Sequence, residues 1–178
     1  MSGTLFDLRG TATAADSEAD PVTEAPSPLV LGTERPLRPG SGVVLEANGT
    51  TIDVRGPAGS AFKVDTALLE ATAPLIDLKG GASLTTSGST VDLSLRAKVT
   101  SLGDALVKLD ASTLTTAGHL VNVAGGSRLS VAGDLVRLAN GSVLNVGVGV
   151  GGTLLNVSGG SIVSVGGALV GFSGATTP

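Results

Sequence analysis

From Ser60 onward, apolar and polar residues alternate in short runs that return about every 15 positions. Each unit opens with a run whose third and fifth residues are apolar and whose fourth is not. These pairs are Phe62 and Val64, Ile76 and Leu78, Val91 and Leu93, Val107 and Leu109, Val121 and Val123, Val136 and Leu138, Leu155 and Val157, and Val170 and Phe172. A second, softer run follows in each unit, as at Leu84 and Thr86 or Leu129 and Val131. A period of two is that of a strand with one face buried, and β-branched residues and Gly recur where a helix would lose stability. The pattern therefore predicts an all-β chain, a single-stranded parallel β-solenoid (β-helix) with repeats of about 15 residues. Turns are expected at Gly80-Gly81, Gly125-Gly126, Asn140-Gly141 and Gly159-Gly160, where positive φ costs Gly or Asn little. Only Gly149 to Gly152 fall outside the register.

Periodicity permits two coil sizes. One unit per turn gives a rod of roughly 40 Å, and two units per turn give a coil of about 30 residues. Upstream, Val43 to Gly56 align with a later unit, so the solenoid is expected over 43–178. Residues 1–10 contain TLFDLRG, which matches the first strand PLIDLKG (Pro74 to Gly80), and read as a strand-like arm. Between them, 11–42 opens with TATAADSEADPVTEAPSP, has no apolar periodicity, and reads as a flexible linker or excursion. The arm has two uses open to it: a first strand for its own stack, or strand complementation at the end of a neighbouring molecule.

Composition sharpens this picture. Trp, Tyr and Cys are absent, so neither disulfides nor thiolate metal sites are available. A net charge of -4, with no basic stripe interleaved with aromatics, argues against a nucleic-acid partner. No apolar stretch is long enough for a transmembrane helix, and the N-terminus shows no basic region followed by an apolar one. Residues 139–178 contain no Asp, Glu, Lys, Arg or His. A surface so bare of charge suggests contact with another copy or with neighbouring structure. Leu75, Leu106, Leu120, Leu135, Leu154 and Leu169 recur at a position that alternation turns outward; they either tuck into a corner or form an exposed stripe for lateral contact.

The residues offer little chemistry. With one unit per coil, Asp77 and Asp92 would stand one strand apart, near the carboxylate separation of a retaining glycosidase, or could hold a cation. Their column reads Lys63, Asp77, Asp92, Lys108, which neutralises itself and points to structural pairing. His119, the only histidine, opens a repeat at a corner and has no catalytic constellation around it in sequence. No catalytic residue, cofactor site or metal site is expected. A hydroxyl column, Thr85, Thr100, Thr115, Ser130, Asn145 and Ser164, suggests a water-ordering face, but its companion column carries Lys98, Arg128, Val143 and Ile162.

At the repeats S-x-L-x-V-x-G (Ser127 to Gly133) and L-V-x-V (Leu120 to Val123), the chain resembles the β-solenoid repeats of bacterial haemagglutinin-type and autotransporter-passenger surface proteins. That resemblance implies export, adhesion or matrix building, and it transfers no catalytic residue. The chain is similar in style also to bactofilins, cytoplasmic solenoids that polymerise end to end. The expectation is a structural, non-enzymatic subunit stacking on itself into an extracellular or cell-surface filament, with Leu5, Phe6, Leu8, Val43, Leu45, Leu154, Leu169, Val170 and Phe172 at the joints. The alternatives are a glycan-binding adhesin module, a cytoskeletal polymer and an ice-binding solenoid.

Overall fold

The structure, a computed structural model, describes residues 6–9, 44–56, 59–149 and 151–174. The expected linker over 11–42 lies outside the described residues. Among the described residues, eighteen short strands pair only in parallel and form four sheets. Sheet I holds β2 (Leu45–Asn48), β6 (Ile76–Lys79), β10 (Ala105–Asp110), β14 (Asp134–Ala139) and β18 (Val170–Ser173). Sheet II holds β3 (Thr51–Val54), β7 (Ser83–Thr86), β11 (Thr113–Thr116) and β15 (Val143–Val146). Sheet III holds β1 (Phe6–Arg9), β4 (Phe62–Asp65), β8 (Val91–Ser94), β12 (Val121–Val123) and β16 (Leu155–Val157). Sheet IV holds β5 (Leu68–Ala71), β9 (Lys98–Ser101), β13 (Arg128–Val131) and β17 (Ile162–Val165).

The chain visits sheets I, II, III and IV in order and then returns to sheet I one layer on. One turn therefore takes two sequence units. Asp92 and Asn122, neighbours across two turns, are 30 residues apart. The alternative of one unit per coil is corrected: the rod has about four turns and a length of roughly 20 Å at the strand spacing. A coil of two units lets four strands enclose an interior filled by side chains from four sides, which a single 15-residue loop does not.

Inside, like residues stack on like. Ile76, Val107 and Val136 form one fully buried column of sheet I, and Phe62, Val91 and Val121 form one of sheet III. Leu75, Leu106, Leu120 and Leu135 are also fully buried, so the leucine column tucks into the corners over most of the rod. Where small polar residues replace aliphatics on the inner face, they bond locally: the Thr116 hydroxyl donates to the Gly88 carbonyl at 2.8 Å. Ser101 is the exception, with a buried hydroxyl that has no partner among the described residues.

The expected turns hold. Gly80-Gly81, Gly125-Gly126, Asn140-Gly141 and Gly159-Gly160 all have positive φ, and the amide of the following residue closes the turn, as Ala82 N to Lys79 O at 3.2 Å. Two successive left-handed residues make the type I′ geometry, which here carries the chain from one sheet to the next. Gly133 answers to a different demand. A Cβ there would collide with the carbonyl oxygen of Asp104 in the coil below, so the wall at this corner closes only over a hydrogen atom.

Candidate functional site

The last described coil differs from those beneath it. β15, β16, β17 and β18 each pair with a strand on one side only, leaving four parallel edges open. Over them the inner columns come to the surface. Phe172, which stacks on buried Leu109 through Leu138, is 81% exposed, and Val157, which stacks on buried Val123, is 44% exposed. Leu144, Val146, Val163 and Val165 are partly buried at the same level. None of these strands carries a charged side chain; Asp134 and Arg137 lie one coil below, on β14.

Four of the expected joint residues gather here: Leu154 and Val170 are partly buried, Leu169 is half exposed, and Phe172 stands most exposed. Sequence reasoning missed Val143, Val148, Val157 and Ile162, also exposed. Val157 was legible as an inward residue, but its exposure depends on where the stack ends.

At the opposite end β1, β2, β3 and β5 likewise pair on one side only among the described residues, but there the inner columns are covered. Leu45 is 8% exposed, and Val54, Phe62, Val64, Leu69 and Ala71 are buried. β1 lies outside β4 in its own stack, with Phe6 opposite Phe62 and Leu8 opposite Val64. Of the two uses open to the arm, the structure shows the first strand of sheet III. Leu5 and Val43 lie outside the described residues. Leu45 is nearly buried and sits on β2, whose outer edge has no strand partner among the described residues.

The single column of charges seen in sequence is in fact two. On sheet I it reads Glu46, Asp77, Lys108 and Arg137; on sheet III it reads Asp7, Lys63, Asp92, Asn122 and Asn156. Asp77 and Asp92 therefore stand on different sheets, and the paired-carboxylate arrangement is corrected. Lys79 binds Glu46 at 2.6 Å and Asp77 at 3.3 Å, and the hydrogen bond it donates to Glu46, then the charge of Asp77, hold its ammonium above the usual lysine range. Asn122 donates to Asp92 at 2.7 Å, and Asn156 donates to Asn122 at 2.7 Å, an amide ladder along sheet III. No group of three His, Asp or Glu among the described residues is placed to hold a metal ion.

His119 has a structural task. Its Nδ1 accepts from the Thr153 backbone amide at 3.1 Å and lies 3.0 Å from the Thr153 hydroxyl. That bond fastens the chain where the insertion at 149–152 re-enters the coil; Asn122 and Asn156 beside it are 34 residues apart, against 30 for the pair below. The extra residues are thus taken up at one corner without shifting the strands.

The hydroxyl column also divides. Thr85, Thr115 and Asn145 stand on sheet II with Asp53, whereas Thr100, Ser130 and Ser164 stand on sheet IV with Glu70. The companion cations Lys98 and Arg128 go to sheet IV alone. Sheet II then presents Thr51, Ser83 and Thr113 beside Asp53, Thr85 and Thr115, a small hydroxyl face whose one charge, Asp53, is paired with Arg55 at 2.5 Å.

Among the described residues there is no helix, and none long and apolar enough to cross a membrane. Comparisons with protein-family models, curated proteins and solved structures found no match for this chain.

Proposed function

We propose that this chain is a structural, non-enzymatic subunit that assembles with copies of itself end to end, as part of a filament or matrix at a bacterial surface. The observation that carries the reading is the open coil at β15 to β18, where parallel edges and an aliphatic interior meet solvent together without charges. An open sheet edge with an apolar layer beneath it is a template for further strands. A second copy supplies strands of the same spacing. Placed head to tail, its β1 extends sheet III beyond β16 and its β2 extends sheet I beyond β18, with every strand still parallel. The surface location rests on the resemblance of the repeats.

The test is sedimentation and negative-stain microscopy of the wild type beside Phe172→Asp and Val157→Asp. A carboxylate buried in the joint without a partner opposes association, so the wild type is expected to form concentration-dependent oligomers that both variants lose. A wild type that stays monomeric at high concentration overturns the proposal.

A second reading, water ordering, gains from the separation of the hydroxyl columns, because sheet II is freed of Lys98 and Arg128. It requires thermal hysteresis from the monomer that Thr113→Lys abolishes.

A further inference from the structure

Among the described residues, most cations are neutralised where they stand. Arg55, Lys63, Lys79, Lys108 and Arg137 each have a carboxylate within ion-pair distance. Arg96, Lys98 and Arg128 have none among the described residues, and all three are exposed. They are also neighbours. Lys98 and Arg128 are register partners on β9 and β13, so like charges sit side by side on adjacent strands, an arrangement that costs stability unless something neutralises it. Arg96 joins them from the corner before β9, where a Cβ on Gly126 would lie 3.6 Å from the arginine's Cγ. It occupies that corner with φ of 64°, beside Leu95 at 54°, where the next two turns use Gly-Gly. Left-handed backbone is unfavourable for Leu and Arg, and such strain tends to collect at binding sites.

We infer that sheet IV is a docking face for an anionic polysaccharide lying along the rod axis. Lys98, Arg128 and Arg96 meet its carboxylates or sulfates. Two positions further along the same strands, Thr100, Ser130 and Ser164 form a parallel row of outward hydroxyls with no protein partner among the described residues, matched to the sugar hydroxyls. Glu70, opposite Thr100 on β5, bounds the face at one end, and Ile162, 52% exposed, bounds it at the other. A single-stranded nucleic acid finds no aromatic side chain here on which to stack its bases. An acidic peptide uses the cations but leaves the hydroxyl row unused. The inference is independent of end-to-end assembly, because sheet IV runs along the side of the rod.

The experiment is affinity electrophoresis in gels containing polygalacturonate, with dextran, polyglutamate and a single-stranded oligonucleotide as comparison matrices. Retardation by polygalacturonate, weakening as salt is raised, is expected for the wild type. The Lys98→Gln/Arg128→Gln variant is expected to lose it by about tenfold in apparent affinity. Lys108→Gln, which removes an ion-paired cation from sheet I, is expected to keep it. Circular dichroism of each variant establishes that the solenoid is intact. No retardation of the wild type, or equal retardation of wild type and the double variant, overturns the proposal. Equal or stronger retardation by polyglutamate or the oligonucleotide overturns the assignment to a polysaccharide.

Discussion

Ser101 occupies an inward position on β9 between Ala71 and Val131, with its hydroxyl buried and unbonded. The desolvation of that group is uncompensated, so Ser101→Ala is expected to raise the unfolding free energy by roughly 1 kcal/mol, read from denaturant melts. Asp134 is the opposite case. It accepts from the Ala168 amide at 2.9 Å and from Arg137 Nε at 2.9 Å, and these bonds, the amide first, hold its carboxyl below the usual aspartate range. A carboxyl depressed in the folded state stabilises fully above its unfolded pKa and loses that contribution as the pH falls through the folded value. The difference in melting temperature between wild type and Asp134→Asn should therefore shrink on acidification from about pH 6 to about pH 3. The same carboxylate explains why the outward column of sheet I ends in glycine, since a Cβ on Gly171 would collide with it. At this scale the sequence was legible wherever a residue's role is set by alternation, as at Ile76 or Val107. It was silent on Asp134 and His119, whose backbone partners, Ala168 and Thr153, lie a full turn away.

Strands and corners were the most readable elements, because two-residue periodicity and Gly pairs are local signals. The corner at Leu95-Arg96 departs most, since it carries the same pair of left-handed residues without glycine, whereas Thr66 and Ala111 are single left-handed residues at their corners. Leu95 is 61% exposed and has little burial to lose. Leu95→Gly is thus expected to stabilise the fold by about 1 kcal/mol, the relief of a left-handed backbone outweighing the added freedom of the unfolded chain. A thermal melt checks the sign. β1 was also legible as an element, through the match of TLFDLRG to PLIDLKG. Its partner was not: the match points to β6 on sheet I, whereas β1 pairs with β4 on sheet III. Resemblance between units cannot say which side of a two-unit coil a strand joins.

For the whole rod, the consequence is an asymmetry between a first coil whose inner residues are buried and a last one whose inner residues meet solvent. If β1 is part of the joint, deleting residues 1–10 should leave the central coils folded yet shorten or abolish the oligomers seen by sedimentation. Oligomers that persist unchanged would assign the joint to β2 and β18 without the arm. The aliphatic columns between the ends give the rod its cooperativity, because each coil buries its apolar face only against its neighbours.

The sequence by itself determined that this chain is an all-β solenoid, which residues face inward, where the turns fall, and that residues 139–178 carry no charged side chain. These follow from local sterics and from the period of the strand. The tertiary structure decided that two units make one turn, and with that which side chains share a sheet. It separated Asp77 from Asp92, put Lys98 beside Arg128, kept both of those cations off sheet II, and buried the inner columns at one end of the rod while exposing them at the other. The physical reason is that a repeat specifies the geometry of each strand and turn, while neighbours across coils are set by how many strands are needed to enclose a filled interior.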